Sequence, residues 1–233
     1  MVVAIPQLGL QVQFDNLALR IFAFQQAGHR EHPTTRQRMK LNAIEIIRNE
    51  HRSIAAVLDG LRYLAKELQT NRPRTDTDFR AIRAMLHYLD VYPERFHHPK
   101  EDRYLFATIR GATHEGDSAL TSLQDDHARG EERMLHLMRA AIRAECEPAK
   151  FMSEFVAEVD RYVDDQWRHM NLEEQTILPL SKRVLTETDW KRIDTAFQSN
   201  VDPLVGVQAG KEFEGLYSRV VNLAPAPIGL GSD

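Results

Sequence analysis

The sequence predicts an all-α protein: an antiparallel, up-down-up-down four-helix bundle with additional short helices at its N- and C-terminal ends. Three observations carry this. Gly and Pro are sparse between Leu41 and Val201. No apolar/polar alternation persists long enough to form a sheet. Four long segments repeat apolar residues in steps of three and four, and the short turns between them force neighbouring helices to run in opposite directions.

Taken in order, residues 1–40 form an N-terminal extension. Phe14, Leu17, Ala18, Ile21 and Phe22 make a short amphipathic stretch, followed by a polar, basic linker from His29 to Lys40. Residues 41–182 are the bundle, with helices expected over Leu41–Gln69, Asp76–Ile109, Glu115–Glu145 and Pro148–Leu180. Breakers stand between them: Thr70-Asn71-Arg72-Pro73, Arg110-Gly111-Ala112-Thr113 and Glu147-Pro148. Residues 183–233 hold a last helix, begun by Thr186-Glu187-Thr188-Asp189 with Trp190, Ile193 and Phe197 as its apolar face. The tail Leu223–Asp233, rich in Pro, Gly and Ala, is expected to be unstructured. The terminal helices are expected to dock on the bundle or on a second copy, which would make a homo-oligomer.

Composition excludes several classes. With 42% hydrophobic residues in 233, the chain can bury a real core and is not globally disordered. No apolar run is long enough to cross a bilayer, so no membrane partner is expected. Thirty basic against thirty-four acidic residues leave no electrostatic footprint for a nucleic acid. The first basic residue is Arg20, unlike a secretory signal, and the single cysteine, Cys146, fits a reducing cytoplasm.

The ten histidines carry the chemistry. In the first long helix the stripe Ile44, Ile47, Ile54, Leu58, Leu61, Ala65, Leu68 is interrupted by His51. In the third, Leu120, Leu123, Gly130, Met134, Leu137, Ala141 is interrupted by His127. An imidazole at a core position is costly unless something satisfies it. The second and fourth helices each carry His-x-x-x-Glu, His97 with Glu101 and His169 with Glu173. That spacing sets nitrogen and oxygen one turn apart on one face. His98-x-x-x-Asp102 has the same spacing, but the match to the fourth helix selects His97 and Glu101. That leaves His98 to a solvated face or a supporting contact.

The depths agree. His51 lies 46 residues before His97, and His127 lies 42 before His169. At about 1.5 Å per residue, His51 is roughly 28 Å from the end of its helix and His97 roughly 32 Å from the start of the next. The second pair repeats this near-match, and His97 and His127 are each roughly 20 Å from the turn between them. Four imidazoles and two carboxylates at one level make a metal site. Without thiolate the set suits iron, manganese or zinc. Six ligands exceed a closed four-ligand zinc site, so a dinuclear centre is expected, with positions open for water, an oxo or hydroxo bridge, or a small ligand.

The strings His97-His98-Pro99-Lys100-Glu101-Asp102, Asp126-His127-Ala128-Arg129-Gly130-Glu131 and His169-Met170-Asn171-Leu172-Glu173-Glu174 resemble the hemerythrin family, specifically its bacterial HHE cation-binding members, over Ile44 to Leu180. The resemblance implies a four-helix bundle around two non-haem iron ions, with manganese or zinc as lesser alternatives. Members of that family bind O₂ reversibly, sense oxygen or iron, decompose peroxide, or act on nitric oxide. Two features depart from the oxygen carriers. They have a histidine four residues after the one on the third helix, where this chain has Glu131. The first pair also offers no obvious fifth histidine on the right face. A more carboxylate-rich centre, should Glu131 ligate, favours redox chemistry or sensing over transport.

Glu131 is therefore a candidate ligand or proton relay, with a hydrated bundle end as its bland alternative. Tyr104 and Tyr162, seven residues from His97 and His169, are candidate donors to bound oxygen species or amphipathic core tyrosines; Gln166 shares the ambiguity. His29, His32, His87, His114 and His136 read as surface residues, and Met134, Met138, Met152 and Met170 as packing. The ferritin-type pattern fails because Gln166 stands where a second Glu is needed, and no His-Glu-x-x-His occurs. The two functional readings are a protein that senses or reacts with O₂, peroxide, NO or iron, and a peroxidase- or catalase-like enzyme. A purely structural bundle is the bland one.

Overall fold

A computed structural model describes residues 42–70 and 76–198, and every regular element among them is helical. The N-terminal amphipathic stretch, the basic linker and the Pro/Gly-rich tail lie outside the described residues. No described helix is long and apolar enough to cross a membrane.

Four rods form the body. The first is α1 (Ala43–Gln69), started by a capping box in which Asn42 Oδ1 accepts from the Glu45 backbone N–H and Glu45 reaches back to that of Asn42. The second runs without interruption over residues 76–112: α2 (Asp76–Tyr92), a π-helical segment (Pro93–His97), α3 (His98–Lys100), a second π segment (Glu101–Phe106) and α4 (Ala107–Ala112). The third is α5 (Asp117–Ala128) and α6 (Gly130–Cys146), parted at Arg129. Gly116 precedes it at φ 91°, a left-handed conformation suited to glycine. The fourth is α7 (Pro148–Leu172), a π segment (Glu173–Ile177) and α8 (Leu178–Val184).

The rods touch in a ring: α1 packs on α2 and α7, and α6 packs on α2 and α7. Along the first and fourth rods the partners are His51 with Glu173, Arg62 with Asp160, and Gln69 with Ser153. The stripes expected in the first and third helices face inward, with Ile47, Leu58, Leu61, Leu120 and Leu123 fully buried. Each such side chain contributes about 1.5–3 kcal/mol of hydrophobic stabilisation.

The last helix, α9 (Glu187–Phe197), starts at a Thr186/Asp189 capping box and folds back onto α1 and the Glu101–Phe106 segment of its own chain. Its Ile193 and Phe197 are buried, and Asp194 Oδ1 accepts from the Ala43 backbone N–H at 2.7 Å, tying it to the start of α1. The apolar interior is thereby split in two. One cluster, here the upper, holds Ile54, Leu58, Tyr88, Met134, Val159 and their neighbours; the other, the lower, holds Ile47, Phe106, Leu120, Ile177 and Phe197. A polar layer lies between them.

Candidate metal centre

The polar layer contains Glu50, His51, His97, His98, Glu101, His169 and Glu173, all buried, and His127, whose side chain is 6% exposed. Two groups of ligand atoms each converge to within 4.8 Å: His51, His97, Glu101 and Glu173 in one, and His98, Glu101, His127 and His169 in the other. Glu101 belongs to both. Its Oε1 is 3.4 Å from His97 Nε2 and 3.9 Å from His51 Nε2, while Oε2 is 3.8 Å from His127 Nε2. Glu173 does the same from the other side, with Oε2 3.1 Å from His51 Nε2 and Oε1 3.3 Å from His169 Nε2.

The five histidines of the layer are turned the same way. Nδ1 faces a carboxylate and Nε2 faces the middle of the layer. His51 Nδ1 lies 3.0 Å from Glu174, His97 Nδ1 2.7 Å from Glu50, His98 Nδ1 3.3 Å from Glu94, His127 Nδ1 3.0 Å from Asp102, and His169 Nδ1 3.7 Å from Asp126. Where the carboxylate is within hydrogen-bond distance, at His51, His97 and His98, it holds a proton on Nδ1 and turns Nε2 inward as the ligand atom.

That arrangement fits a cation and little else. His127 Nε2 and His169 Nε2 approach to 3.1 Å, aimed at one space in which a proton or a metal cation can lie between them. All four oxygens of Glu101 and Glu173 are buried without a hydrogen-bond partner, as is His51 Nε2. An orphaned buried acceptor costs about 1–3 kcal/mol. Four of them would consume much of a domain's net stability of about 5–15 kcal/mol.

The titration behaviour says the same in another form. Burial lowers the affinity of His51 and His169 for protons, yet the nearby carboxylates of Glu173, Glu174 and Asp126 outweigh it and raise both to about 9. Burial and the facing Glu173 charge push Glu101 well up, while the His169 and His51 imidazolium groups overcome burial and draw Glu173 well down. Protons gather where positive charge is wanted.

A model of the hemerythrin HHE cation-binding domain matches residues 42–181, well over half of the chain. The chain belongs to the hemerythrin family. No curated protein and no solved structure matches it.

Within this hemerythrin domain the structure brings together His51, His97, Glu101, His127, His169 and Glu173, the six residues singled out by spacing. It adds His98, which the helix repeat had set aside. In a regular α-helix adjacent side chains diverge by about 100°. Here His97 closes one π segment and Glu101 opens the next, and the two histidines reach opposite groups with Glu101 between them. π segments re-aim successive side chains, and often do so at functional sites. The absence of a fifth inward histidine, expected from the α-helical faces, is thus corrected.

Glu131 is exposed and belongs to neither group, so the expected relay or ligand lies on the surface. Gly130, Met134 and Leu137 continue the inward stripe of His127 beyond the break at Arg129, and Glu131 falls beside that stripe on the solvent side. Tyr104 is half-buried beside the lower apolar cluster with the Arg103 guanidinium over its ring at 5.5 Å. Tyr162 is buried in the upper cluster, its hydroxyl without a hydrogen-bond partner. Neither joins the converging ligand atoms. The supporting carboxylates Glu50, Glu94, Asp102, Asp126 and Glu174 went unread, although four of them leave a trace. An acid precedes each lone histidine, Glu50-His51 and Asp126-His127, and an acid follows each inward glutamate, Glu101-Asp102 and Glu173-Glu174.

Proposed function

We propose that this hemerythrin-family chain is an up-down-up-down four-helix bundle that holds two iron ions, one at each group of ligand atoms, and uses them to bind and respond to O₂, NO or peroxide. The observation that carries the reading is the paired span of Glu101 and Glu173, each presenting one oxygen to the histidines of either side. Carboxylates so placed bridge a pair of cations, and the imidazole-carboxylate donor set suits iron. Bound iron would supply Lewis acidity and electrons to a small ligand at positions the protein leaves open.

The residues of the chain have three tasks. His51 and His97 serve one ion, and His98, His127 and His169 the other. The five outer carboxylates fix the imidazole tautomers, so that Nε2 is ready before metal arrives. The apolar clusters above and below keep bulk water from the layer. A binding and sensing role is favoured over peroxide turnover because Glu131, the acid suited to moving protons in an enzyme, is exposed. A cytoplasmic setting remains the reading of the lone free thiol Cys146.

Anaerobic loading followed by metal analysis and optical spectra on addition of O₂, NO or peroxide tests this. About two irons per chain and a ligand-dependent spectrum are expected from the dinuclear site. Both should be lost in His169→Ala and kept in the surface control His136→Ala. One iron or none, with no spectral response, would reject it.

A further inference from the structure

The two helix pairs of the centre repeat each other but differ at three neighbouring positions. Three residues after His127 stands Gly130, and three after His51 stands Ile54; three before His97 stands Glu94, and three before His169 stands Gln166; His98 follows His97, and Met170 follows His169. The contact of the second rod with the third thus carries Gly130, Glu94 and His98, where the contact of the first with the fourth carries Ile54, Gln166 and Met170. Ile54 and Met170 are buried in the upper apolar cluster.

The three polar-side residues are in register. A Cβ at Gly130 would lie 1.9 Å from Glu94 Oε2 and 2.6 Å from its Cδ, and all three nearest atoms that such a Cβ would meet belong to that carboxylate. The Gly130 backbone is not left-handed, so its own conformation does not demand glycine. What demands it is the space taken by Glu94. That same Oε2 accepts from His98 Nδ1 at 3.3 Å. Glu94 and His98 are both buried, with side chains 8% and 7% exposed.

We propose that Gly130 and Glu94 are positioning residues for His98: the missing side chain at Gly130 lets the Glu94 carboxylate sit against the start of α6, and from there it turns the His98 Nε2 toward His127 and His169. This rests on the reading of His98 as a metal ligand. It goes beyond it by making the fifth imidazole depend on a residue of another helix that touches no metal. The interruption of the third rod at Arg129 thereby gains a purpose, since the glycine that admits Glu94 is the first residue of α6.

The test is a double-mutant cycle on the full chain, read by anaerobic Fe(II) titration against a competing chelator, with melting of the metal-free protein recorded beside it. Gly130→Ala and Glu94→Ala should each weaken Fe(II) at one of two positions by about ten- to hundredfold, the usual effect of losing a residue that orients a ligand. Glu94→Gln, which keeps an acceptor for Nδ1–H, should recover most of that loss. Gly130→Ala should add nothing in the Glu94→Ala background. Alanine is the better helix former, so adding Gly130→Ala in the Glu94→Ala background, where the clashing carboxylate is gone, should not lower metal-free melting. Wild-type binding by Gly130→Ala, or an equal loss with and without Glu94, would overturn the proposal. His98→Ala separates the two levels. If it binds both ions as wild type does, the ligand reading fails; if it loses one while Gly130→Ala and Glu94→Ala do not, only the positioning role fails.

Discussion

Glu50 reaches from α1 to His97 on the second rod, placing Oε2 2.7 Å from Nδ1, while its Oε1 accepts from the Tyr92 hydroxyl at 2.7 Å. The carboxylate is buried, so the contact is not diluted by water. Asp126 holds the corresponding position toward His169 at 3.7 Å, but it is also bound by Arg133 and is drawn down to about 2 by the His169 contact and that guanidinium. The same orienting task is done by a dry pair in one half and a wetter network in the other.

Glu50→Ala should therefore weaken metal binding more than Asp126→Ala. A loss of about ten- to a hundredfold is expected for the first, the range seen when a histidine ligand loses its carboxylate. Chelator competition on the two variants measures it, and equal losses would remove the distinction between the halves.

Metal-free protein should lose stability as pH rises. His51 and His169 bind protons at about 9 in the folded chain, against 6.5 for the free side chain. Their contribution is full below 6.5 and disappears as pH passes through 9. Glu94, raised by burial to about 7, acts in the same sense at lower pH, because its charged form is disfavoured in the fold. Thermal melts of metal-free protein should fall steadily between pH 6.5 and 9. Loading displaces those protons, so metal should bind more tightly with rising pH over that window and release protons measurably as it binds. A flat metal-free profile would contradict the raised imidazoles.

Glu131→Gln should leave iron content and ligand spectra unchanged, since the residue is exposed and outside both groups. His98→Ala should reduce iron from about two to about one per chain, the number expected when one of two imidazole-rich positions fails. Metal analysis of the two variants side by side decides between a surface acid and a buried imidazole as the additional functional residue.

Asp194→Ala should lower stability by about 1 kcal/mol, the usual worth of a cap-type acceptor at a helix start. The change removes the acceptor of the Ala43 N–H and loosens α9 from α1. A drop of roughly 2–4 °C in melting temperature is expected for a chain of this size. Metal content should not change, because neither Asp194 nor Ala43 belongs to the converging ligand groups.

Most of the centre was legible because helical periodicity is arithmetic. Four imidazoles and two carboxylates recur at spacings that a rise of about 1.5 Å per residue converts into one depth. The amphipathic stripes and the Thr186 helix start were readable for the same reason: they depend on residues close in the chain. What regular spacing could not convey was departure from regularity. Two π segments flank His98 and a break follows His127. A change of a fraction of a turn is invisible in a one-dimensional pattern, yet it brought His98 in.

The sequence by itself determined that the chain is helical, that its histidines share a level, and that a cation is wanted there. Only the tertiary structure decided which nitrogen of each ring faces inward, because the carboxylates that hold Nδ1 come mostly from other helices. Asp102 serves His127, Glu174 serves His51 across 123 residues of chain, and Glu50 serves His97. Side-chain orientation is set by partners in space, and no local rule of spacing contains them.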